Sequence, residues 1–356
     1  MMENYTAAAA RGLEEYRRNK NALLLAIESS CDETAAALLR GDREVLSMSV
    51  YTQIPLHRKF GGVVPELASR SHVEKIGQVV NHALVSAGAA IEDVSAIAVT
   101  CGPGLVGALL VGVSYAKGLA FARGLPLIGV NHLAGHIAAN YLTYPDLKPP
   151  FMCLVASGGH SHIIEVEDYD KFTLLGRTRD DAAGEAFDKV ARALGLPYPG
   201  GPELEKLARQ GDPNKYPFHS ALNQSTEEMD FSFSGIKTAV VNLLHNAEQK
   251  GETPDPADIA ASFQRSVCDA LTLKSVRAAK ARGLDTLALA GGVSANMALR
   301  GALEAECDRQ GIRFCCPDFR FCTDNAAMIA CAGHYGLMAG RLSGLELNAV
   351  PNLTLC

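Results

Sequence analysis

The chain has 356 residues, enough for two domains of ordinary size. Its composition, 48% hydrophobic and 20% charged, is typical of a globular protein and excludes a disordered one. A net charge of −6 argues against an indiscriminate nucleic-acid binder, although it is compatible with a local basic patch. The ten cysteines form no C-x-x-C pair and, with no signal peptide, indicate reduced thiols in a cytoplasmic protein. We expect no membrane span, because glycines and charges interrupt each apolar run.

The first elements of the chain suggest an internal duplication. Residues 1–20 contain no apolar signal core, and we expect a frayed or helical extension there. Residues 22–39 and 151–166 then share one plan, in which an apolar strand, a polar turn and a second apolar strand follow each other. We interpret 141–150 as a linker between two halves and 211–230 as a polar insertion. The repeated plan predicts a site between the halves.

Strands alternate with helices elsewhere in the chain, which predicts an α/β fold with largely buried sheets. Three strand ends carry turns of small residues: Gly102-Pro103-Gly104, Ser157-Gly158-Gly159 and Gly291-Gly292-Val293-Ser294. Such turns let backbone N–H groups approach an anion, so together they indicate a phosphate- or nucleotide-binding cleft. None of them matches the Walker or dinucleotide fingerprint, which disfavours a P-loop enzyme and a Rossmann dehydrogenase.

Two histidines four residues apart, His132 and His136, begin a predicted helix. Residues at this spacing share one helix face, so both side chains can bind one metal ion, although surface or capping roles are also compatible. Asp324, in a strand-to-helix turn, is placed to complete a His-His-Asp set or to cap its helix. Asp32 and Glu33, in the first hairpin turn, are further acidic candidates.

Nine segments, in order, resemble the signatures of the tRNA adenosine threonylcarbamoyltransferase family, formerly described as O-sialoglycoprotein endopeptidases. They are IESSCDET (27–34), HRKFGGVVPELASRSH (57–72), GPGLVGALLVG (102–112), NHLAGH (131–136), SGGH (157–160), GEAFDKVARALGL (184–196), FSFSGIKT (231–238), GGVSAN (291–296) and CTDNAAMIA (322–330). Their spacing is similar to that of the bacterial branch. The resemblance implies the duplicated actin, Hsp70 and sugar-kinase fold (ribonuclease H-like), with lobe I at 21–130 plus 318–346 and lobe II at 131–317.

The resemblance also implies a ligand set and a reaction. One divalent metal, Fe2+ or Zn2+, would be held by His132, His136 and Asp324. The threonylcarbamoyl group of threonylcarbamoyl-adenylate would move to N6 of adenosine 37 in tRNAs reading codons that begin with A, releasing AMP. The adenylate site would comprise Val155, Ala156, Ser157, Gly158, Gly159, Asp188, Gly201, Glu205 and Asn296. Two positions depart from the usual pattern: Ser161 replaces a threonine, and Glu205 stands where some members have aspartate.

The chemistry of the residues suggests further roles, and the resemblance implies partners. Backbone N–H groups of 157–159 would hold the phosphate, and Asp32 or Glu33 would orient or deprotonate the amine. Arg58, Lys59 and Arg70 would contact tRNA phosphates, or would be ordinary solvated charges. The expected partners are an inactive paralogue subunit that dimerises with lobe I, a small ATPase subunit and a separate synthase that supplies the adenylate.

Three alternative functions are compatible with parts of this pattern. A metallopeptidase normally has H-E-x-x-H, but Leu133 occupies the place of the glutamate base. A small-molecule kinase of the same fold would not need a His-His-Asp set. A non-catalytic assembly subunit would not need those ligands either. The sequence therefore favours the transferase.

Overall fold

The computed structural model describes residues 2–225 and 227–356. The strands there are β1 (Leu23–Glu28), β2 (Glu33–Arg40), β3 (Glu44–Thr52), β4 (Val94–Gly102), β5 (Leu127–Asn131), β6 (Phe151–Ala156), β7 (Ser161–Asp168), β8 (Lys171–Arg177), β9 (Thr286–Ala290) and β10 (Arg313–Cys315). The α-helices are α1 (Met2–Arg18), α2 (Ile54–His57), α3 (Pro65–Ser86), α4 (Val106–Arg123), α5 (His132–Thr143), α6 (Ala183–Ala193), α7 (Gly200–Ala208), α8 (Ala221–Gln224), α9 (Ser234–Lys250), α10 (Pro256–Ala281), α11 (Met297–Gln310) and α12 (Ala326–Met338).

The strands form two sheets with the same topology. The first has the order β3-β2-β1-β4-β5, and the second has the order β8-β7-β6-β9-β10. In each sheet three antiparallel strands are followed by two parallel ones, since β1 and β6 pair with β4 and β9 in parallel. The predicted α/β fold and the internal duplication are both confirmed.

The two sheets are covered on both faces because their central strands are apolar throughout. In β1, Leu25 and Ile27 pack in one cluster with residues of α3 and α4, whereas Leu24 and Ala26 pack in another with α12. This is the two-residue alternation expected of a strand. The second sheet packs α6, α9, α10 and α11 on one face and α5 on the other.

Helices α5 and α12 lie side by side between the sheets and position the site. Gly135 lies at their contact, where a Cβ would lie 2.6 Å from the terminal Cδ1 methyl of Ile329. Helix α12 packs on the first sheet, while α5 also contacts β9 of the second. The predicted division into lobes at residue 131 therefore falls at a helix that touches both halves, and the division stays a prediction.

The segment predicted as a linker is firmly attached at its start. Residues 141–143 belong to α5, and Tyr141 is buried, so the prediction of a linker over all of 141–150 is wrong there. The Arg43 guanidinium, from the β2–β3 turn, donates hydrogen bonds to the carbonyl oxygens of Tyr144 (3.0 Å) and Pro145 (2.6 Å). Tyr169 and Tyr335 stack beside it with ring centroids 4.0 Å apart. This side of the molecule joins the two halves.

The N-terminal residues form an ordered helix. Of the two alternatives predicted for 1–20, the structure shows α1, which buries Tyr5, Ala9, Leu13 and Tyr16 against the first half. The Tyr16 hydroxyl lies 2.8 Å from His334 Nδ1 on α12. The helix therefore extends the core of the first half.

One helix in the described part of the chain is long and apolar enough to cross a membrane by length and composition. It is α4, with 18 residues and a mean hydropathy of 1.2. Glycines and two basic residues interrupt this helix as predicted, but its length and composition still meet the requirement for a span. A third of it is buried inside the protein, where Leu109, Val113 and Ala116 pack against the first sheet and α3.

Candidate functional site

Two local capping motifs place the three candidate metal ligands. Asn131 Oδ1 accepts the N–H of Leu133 (2.9 Å) and so begins α5, which sets His132 and His136 on one face. Asn325, not Asp324, caps α12 through the N–H of Met328 (2.9 Å). The Asp324 carboxylate is thereby available to the histidines.

The structure brings His132, His136 and Asp324 together, with ligand atoms all within 4.8 Å of one another. Asp324 Oδ1 lies 3.2 Å from His136 Nε2 and 3.4 Å from His132 Nε2. Neither ring nitrogen of His136 has a hydrogen-bond partner of good geometry among residues 2–225 and 227–356. A buried polar atom without a partner costs about 1–3 kcal/mol, and a metal ion would satisfy Nε2. The donor set fits a single divalent cation.

The electrostatics of the cluster favour a cation. Burial raises the pKa of Asp324, but the two histidines outweigh burial and hold that pKa well below its usual range. Burial lowers the pKa of His136, which keeps this ligand neutral. Burial also lowers the pKa of His132, but the charges of Asp324 and Glu28 outweigh it and raise the pKa well above its ordinary value. Glu28 is fully buried and Asp324 is partly exposed, and the positive charge that these two carboxylates favour can come from the His132 proton or from a metal ion.

Glu28 is the residue of this site that sequence reasoning missed. It ends β1 and is fully buried. Its Oε2 lies 3.0 Å from His132 Nδ1 and accepts a hydrogen bond from the Thr100 hydroxyl (2.6 Å). A glutamate closing the apolar run LLLAIE was the available signal, because a buried charge needs a specific partner.

Of the two predicted catalytic carboxyls, Asp32 lies in the turn after β1 and Glu33 begins β2. Glu33 accepts a hydrogen bond from the Thr52 hydroxyl at 3.1 Å. Burial raises the pKa of Glu33 to about 9, and the charges of Asp32 and Asp324 add to the rise. Glu33 therefore carries a proton at neutral pH and is not a base there in the metal-free protein.

The turn Ser157–His160 presents an open backbone at the end of β6. The N–H of Ser157 donates to His160 O (2.8 Å), and the N–H of His160 donates to Ser157 Oγ (3.1 Å). Gly158 and Gly159 are exposed, and a Cβ on either would meet nothing within 4 Å. Val155 and Ala156 precede the turn as fully buried strand residues. This turn has the space and the backbone donors that an anion requires.

The third glycine turn lies directly against the second. Gly291 has φ +89°, and a Cβ there would lie 2.4 Å from Ala156 O. Both turns follow neighbouring parallel strands, β6 and β9, and such carboxyl ends are where α/β sheets bind ligands.

The first glycine turn has a different role from the predicted one. The N–H of Gly104 donates to Pro351 O (3.1 Å), and the N–H of Leu105 donates to Ser30 O (2.7 Å). A Cβ on Gly102 would collide with Val350 O at 2.0 Å. The prediction that this turn helps to hold an anion is wrong, because the C-terminal segment covers it.

The remaining residues predicted to bind the adenylate lie in or next to helices of the second half. Asp188 Oδ1 accepts the N–H groups of Gly200 (2.8 Å) and Gly201 (3.2 Å) at the start of α7. Glu205 Oε1 accepts the N–H of Met297 (3.1 Å), and Asn296 caps α11. Helix α6, which carries Asp188, begins against the Ser157 turn, where a Cβ on Gly184 would lie 2.7 Å from Ser157 O.

Two arginines bridge the halves at the other side of the cleft. Arg58 Nε donates to Tyr198 O at 2.9 Å, and Arg192 donates to Gly61 O. Arg58, Lys59 and Arg70 are all exposed, and Arg58 is also engaged with the protein itself. Leu133, the residue that replaces a peptidase glutamate, is buried in the core and offers no base.

Two halves of equal topology, with a His-His-Asp cluster of two buried histidines and a partly exposed aspartate between them, define a two-lobed actin-like protein with a candidate metal centre. A family model for tRNA N6-adenosine threonylcarbamoyltransferase matches residues 44–331. Curated proteins of that name from Clostridium botulinum (strain 657 / Type Ba4) and Clostridium perfringens (strain SM101 / Type A) are 57% and 55% identical to this chain. They cover 93% and 94% of it, over 97% and 98% of their own lengths. The chain belongs to the tRNA N6-adenosine threonylcarbamoyltransferase family, as the sequence resemblance predicted.

Solved structures with the same architecture confirm the fold. HypF of T. kodakarensis aligns with a TM-score of 0.61 at 16% identity, over 92% of this chain and 49% of that one. Component A of the (R)-2-hydroxyglutaryl-CoA dehydratase of Acidaminococcus fermentans aligns with a TM-score of 0.52 at 18% identity, over 89% and 98%. At these identities the likeness shows the fold alone.

Proposed function

We propose that this protein transfers the threonylcarbamoyl group from threonylcarbamoyl-adenylate to N6 of adenosine 37 in tRNAs that read codons beginning with A, and releases AMP. The observation that carries the proposal is the convergence of His132, His136 and Asp324 in one cluster between the two sheets. The open Ser157 turn at the end of β6 adds a place for the adenylate phosphate. Family membership supports the choice of a tRNA adenosine as acceptor.

Backbone N–H groups would hold threonylcarbamoyl-adenylate, the donor of the transferred group. The N–H groups of Gly158 and Gly159 would donate to the phosphate, with no side chain in the way. Asp188, Gly201 and Asn296 would bind the adenosine part from the neighbouring helices. Glu205, whose Oε1 already receives the Met297 N–H and pairs with Arg209, would act there mainly by fixing the start of α11.

The reaction forms the bond between N6 and the carbamoyl carbon and breaks the carbon–oxygen bond to the phosphate, whose electrons leave with AMP. An Fe2+ or Zn2+ ion held by His132, His136 and Asp324 would supply Lewis-acid polarisation of the threonylcarbamoyl group. Asp32 would accept the proton that N6 loses. Glu33, protonated at neutral pH, would donate a hydrogen bond that orients the substrate.

The partners implied by the family resemblance would bind surfaces outside the cleft. Lys59 and Arg70 would contact tRNA phosphates, which makes tRNA binding salt-dependent. Exposed Val73, Val106 and Leu110 on α3 and α4 form an apolar face for the inactive paralogue subunit. A small ATPase subunit and a separate synthase would complete the system, in the cytoplasm. In this proposal lobe I is 21–130 plus 318–346, and lobe II is 131–317.

The test is a reconstituted transfer with synthetic threonylcarbamoyl-adenylate, unmodified tRNA and the partner subunits. The His136→Ala variant should form little modified adenosine, because it lacks one of three metal ligands. A matched control is His245→Ala, which removes an exposed histidine on α9. Equal product from wild type and His136→Ala would refute the metal-site mechanism.

A further inference from the structure

A fully buried carboxylate stands behind one of the two histidine ligands. Glu28 Oε2 lies 3.0 Å from His132 Nδ1, on the side of the ring away from Asp324, which faces Nε2. Glu28 is itself held by two donors, the Thr100 hydroxyl (2.6 Å) and the N–H of Ser30 (2.5 Å). These donors come from β4 and from the turn after β1, so the carboxylate is fixed from two directions.

This geometry decides which nitrogen of His132 carries its proton. A carboxylate that already receives two hydrogen bonds is an acceptor, so Nδ1–H donates to Glu28, and Nε2, which faces Asp324, is the nitrogen that gives up its proton when a metal binds. Partners of this kind orient metal-binding histidines and increase their basicity. His136 lacks such a partner in the described ranges, since its Nδ1 makes no hydrogen bond. A carboxylate therefore orients the ring of His132, whereas no such partner orients the ring of His136.

We propose that Glu28 is a positioning residue that fixes the tautomer and orientation of His132 for metal binding. The inference rests on the metal site of the proposed function. One other group is near the same nitrogen, the Ser30 hydroxyl at 3.2 Å from Nδ1. The charged and shorter contact of Glu28 makes it the principal partner, because charge-assisted hydrogen bonds are about twice as strong as neutral ones.

The test measures metal affinity directly. The Zn2+ dissociation constant would be determined by competition with a chromophoric chelator, and the visible spectrum of the Co2+-loaded protein would report ligand geometry. Glu28→Gln should weaken Zn2+ binding about 10- to 100-fold and change the Co2+ spectrum. Ser30→Ala should bind within about twofold of wild type, as should Glu165→Gln, which removes a carboxylate paired with Arg282 far from the site.

A second variant keeps the test decisive if Glu28→Gln does not fold by circular dichroism. Thr100→Val leaves the Glu28 charge but removes the hydroxyl that holds it, and should weaken Zn2+ binding about threefold. The inference would be overturned if Glu28→Gln bound Zn2+ as tightly as wild type while His136→Ala abolished binding. If only Thr100→Val folds, an unchanged Zn2+ affinity in that variant would overturn it under the same condition. A loss in Ser30→Ala as large as in Glu28→Gln would also overturn it. A wild-type protein that binds no metal would instead remove the proposed metal site itself.

Discussion

Substitution of Gly291 by alanine probes the contact between the two glycine turns of the cleft. Gly291 has φ +89° and ψ 167°, a region of backbone space that is nearly restricted to glycine. The added Cβ would lie 2.4 Å from Ala156 O, a distance that real Cβ atoms do not show. Because that oxygen belongs to the backbone, a rotamer change cannot relieve the collision.

Two costs add in the Gly291→Ala variant. The backbone conformation costs about 1–3 kcal/mol for a residue with a side chain. Separating Cβ and oxygen to ordinary contact requires a shift of about 1 Å, and overpacking of this kind costs about 1–3 kcal/mol. We expect a loss of about 3 kcal/mol or more in the free energy of unfolding, from a total of about 5–15 kcal/mol. The same shift would move the Ser157 turn and lower the transfer rate, by about 100-fold for 1 Å.

Urea denaturation followed by circular dichroism measures the first effect, and the reconstituted transfer measures the second. The control is Gly292→Ala at the next position, where a Cβ would meet nothing within 4 Å. That variant should stay within about 1 kcal/mol of wild type. Equal free energies of unfolding for Gly291→Ala and Gly292→Ala would refute the reasoning.

Three further predictions concern the joins between the halves and the charges of the cleft. Arg43→Met should lower the free energy of unfolding by about 2–3 kcal/mol, measured in urea, because two backbone carbonyls lose a charged donor. A double Arg58→Ala, Arg192→Ala variant should open the cleft and increase the radius of gyration in small-angle scattering; an unchanged radius would contradict this. In metal-free protein, Glu33 has a pKa raised from 4.5 to about 9, so the folded state binds the extra proton and stability should fall as pH rises between these values. Thermal unfolding across that range should show a weaker pH dependence in Glu33→Gln.

Local patterns in the sequence were sufficient for the parts of the fold and site that depend on near neighbours. The hairpin plan of 22–39 and 151–166 predicted the duplication, because a strand and its adjacent partner are specified by consecutive residues. The spacing of His132 and His136 likewise fixed their shared helix face. Asp324 lies near the other end of the chain, and only the family resemblance joined it to the pair.

The wrong and missing predictions have one cause: each of these residues contacts a part of the chain that is distant in sequence. The Gly102 turn has the composition of an anion site, but Val350 and Pro351 cover it from the C-terminal segment. The start of the predicted linker is helical, and Arg43 holds the residues that follow it. Glu28 gained its role only when His132 was folded against it, and no spacing rule connects the two.

The order of the elements along the chain also affects how the protein is made. The five strands of the first sheet are complete at Asn131, but α12, which covers the face formed by Leu24, Ala26 and Leu39, begins only at Ala326. At about 5–20 residues per second, a ribosome needs roughly 10–40 s to synthesise the intervening chain. The nascent sheet therefore emerges with this apolar face only partly covered, by Leu13 and Tyr16 of α1, and Asp324 joins His132 and His136 among the last steps of synthesis.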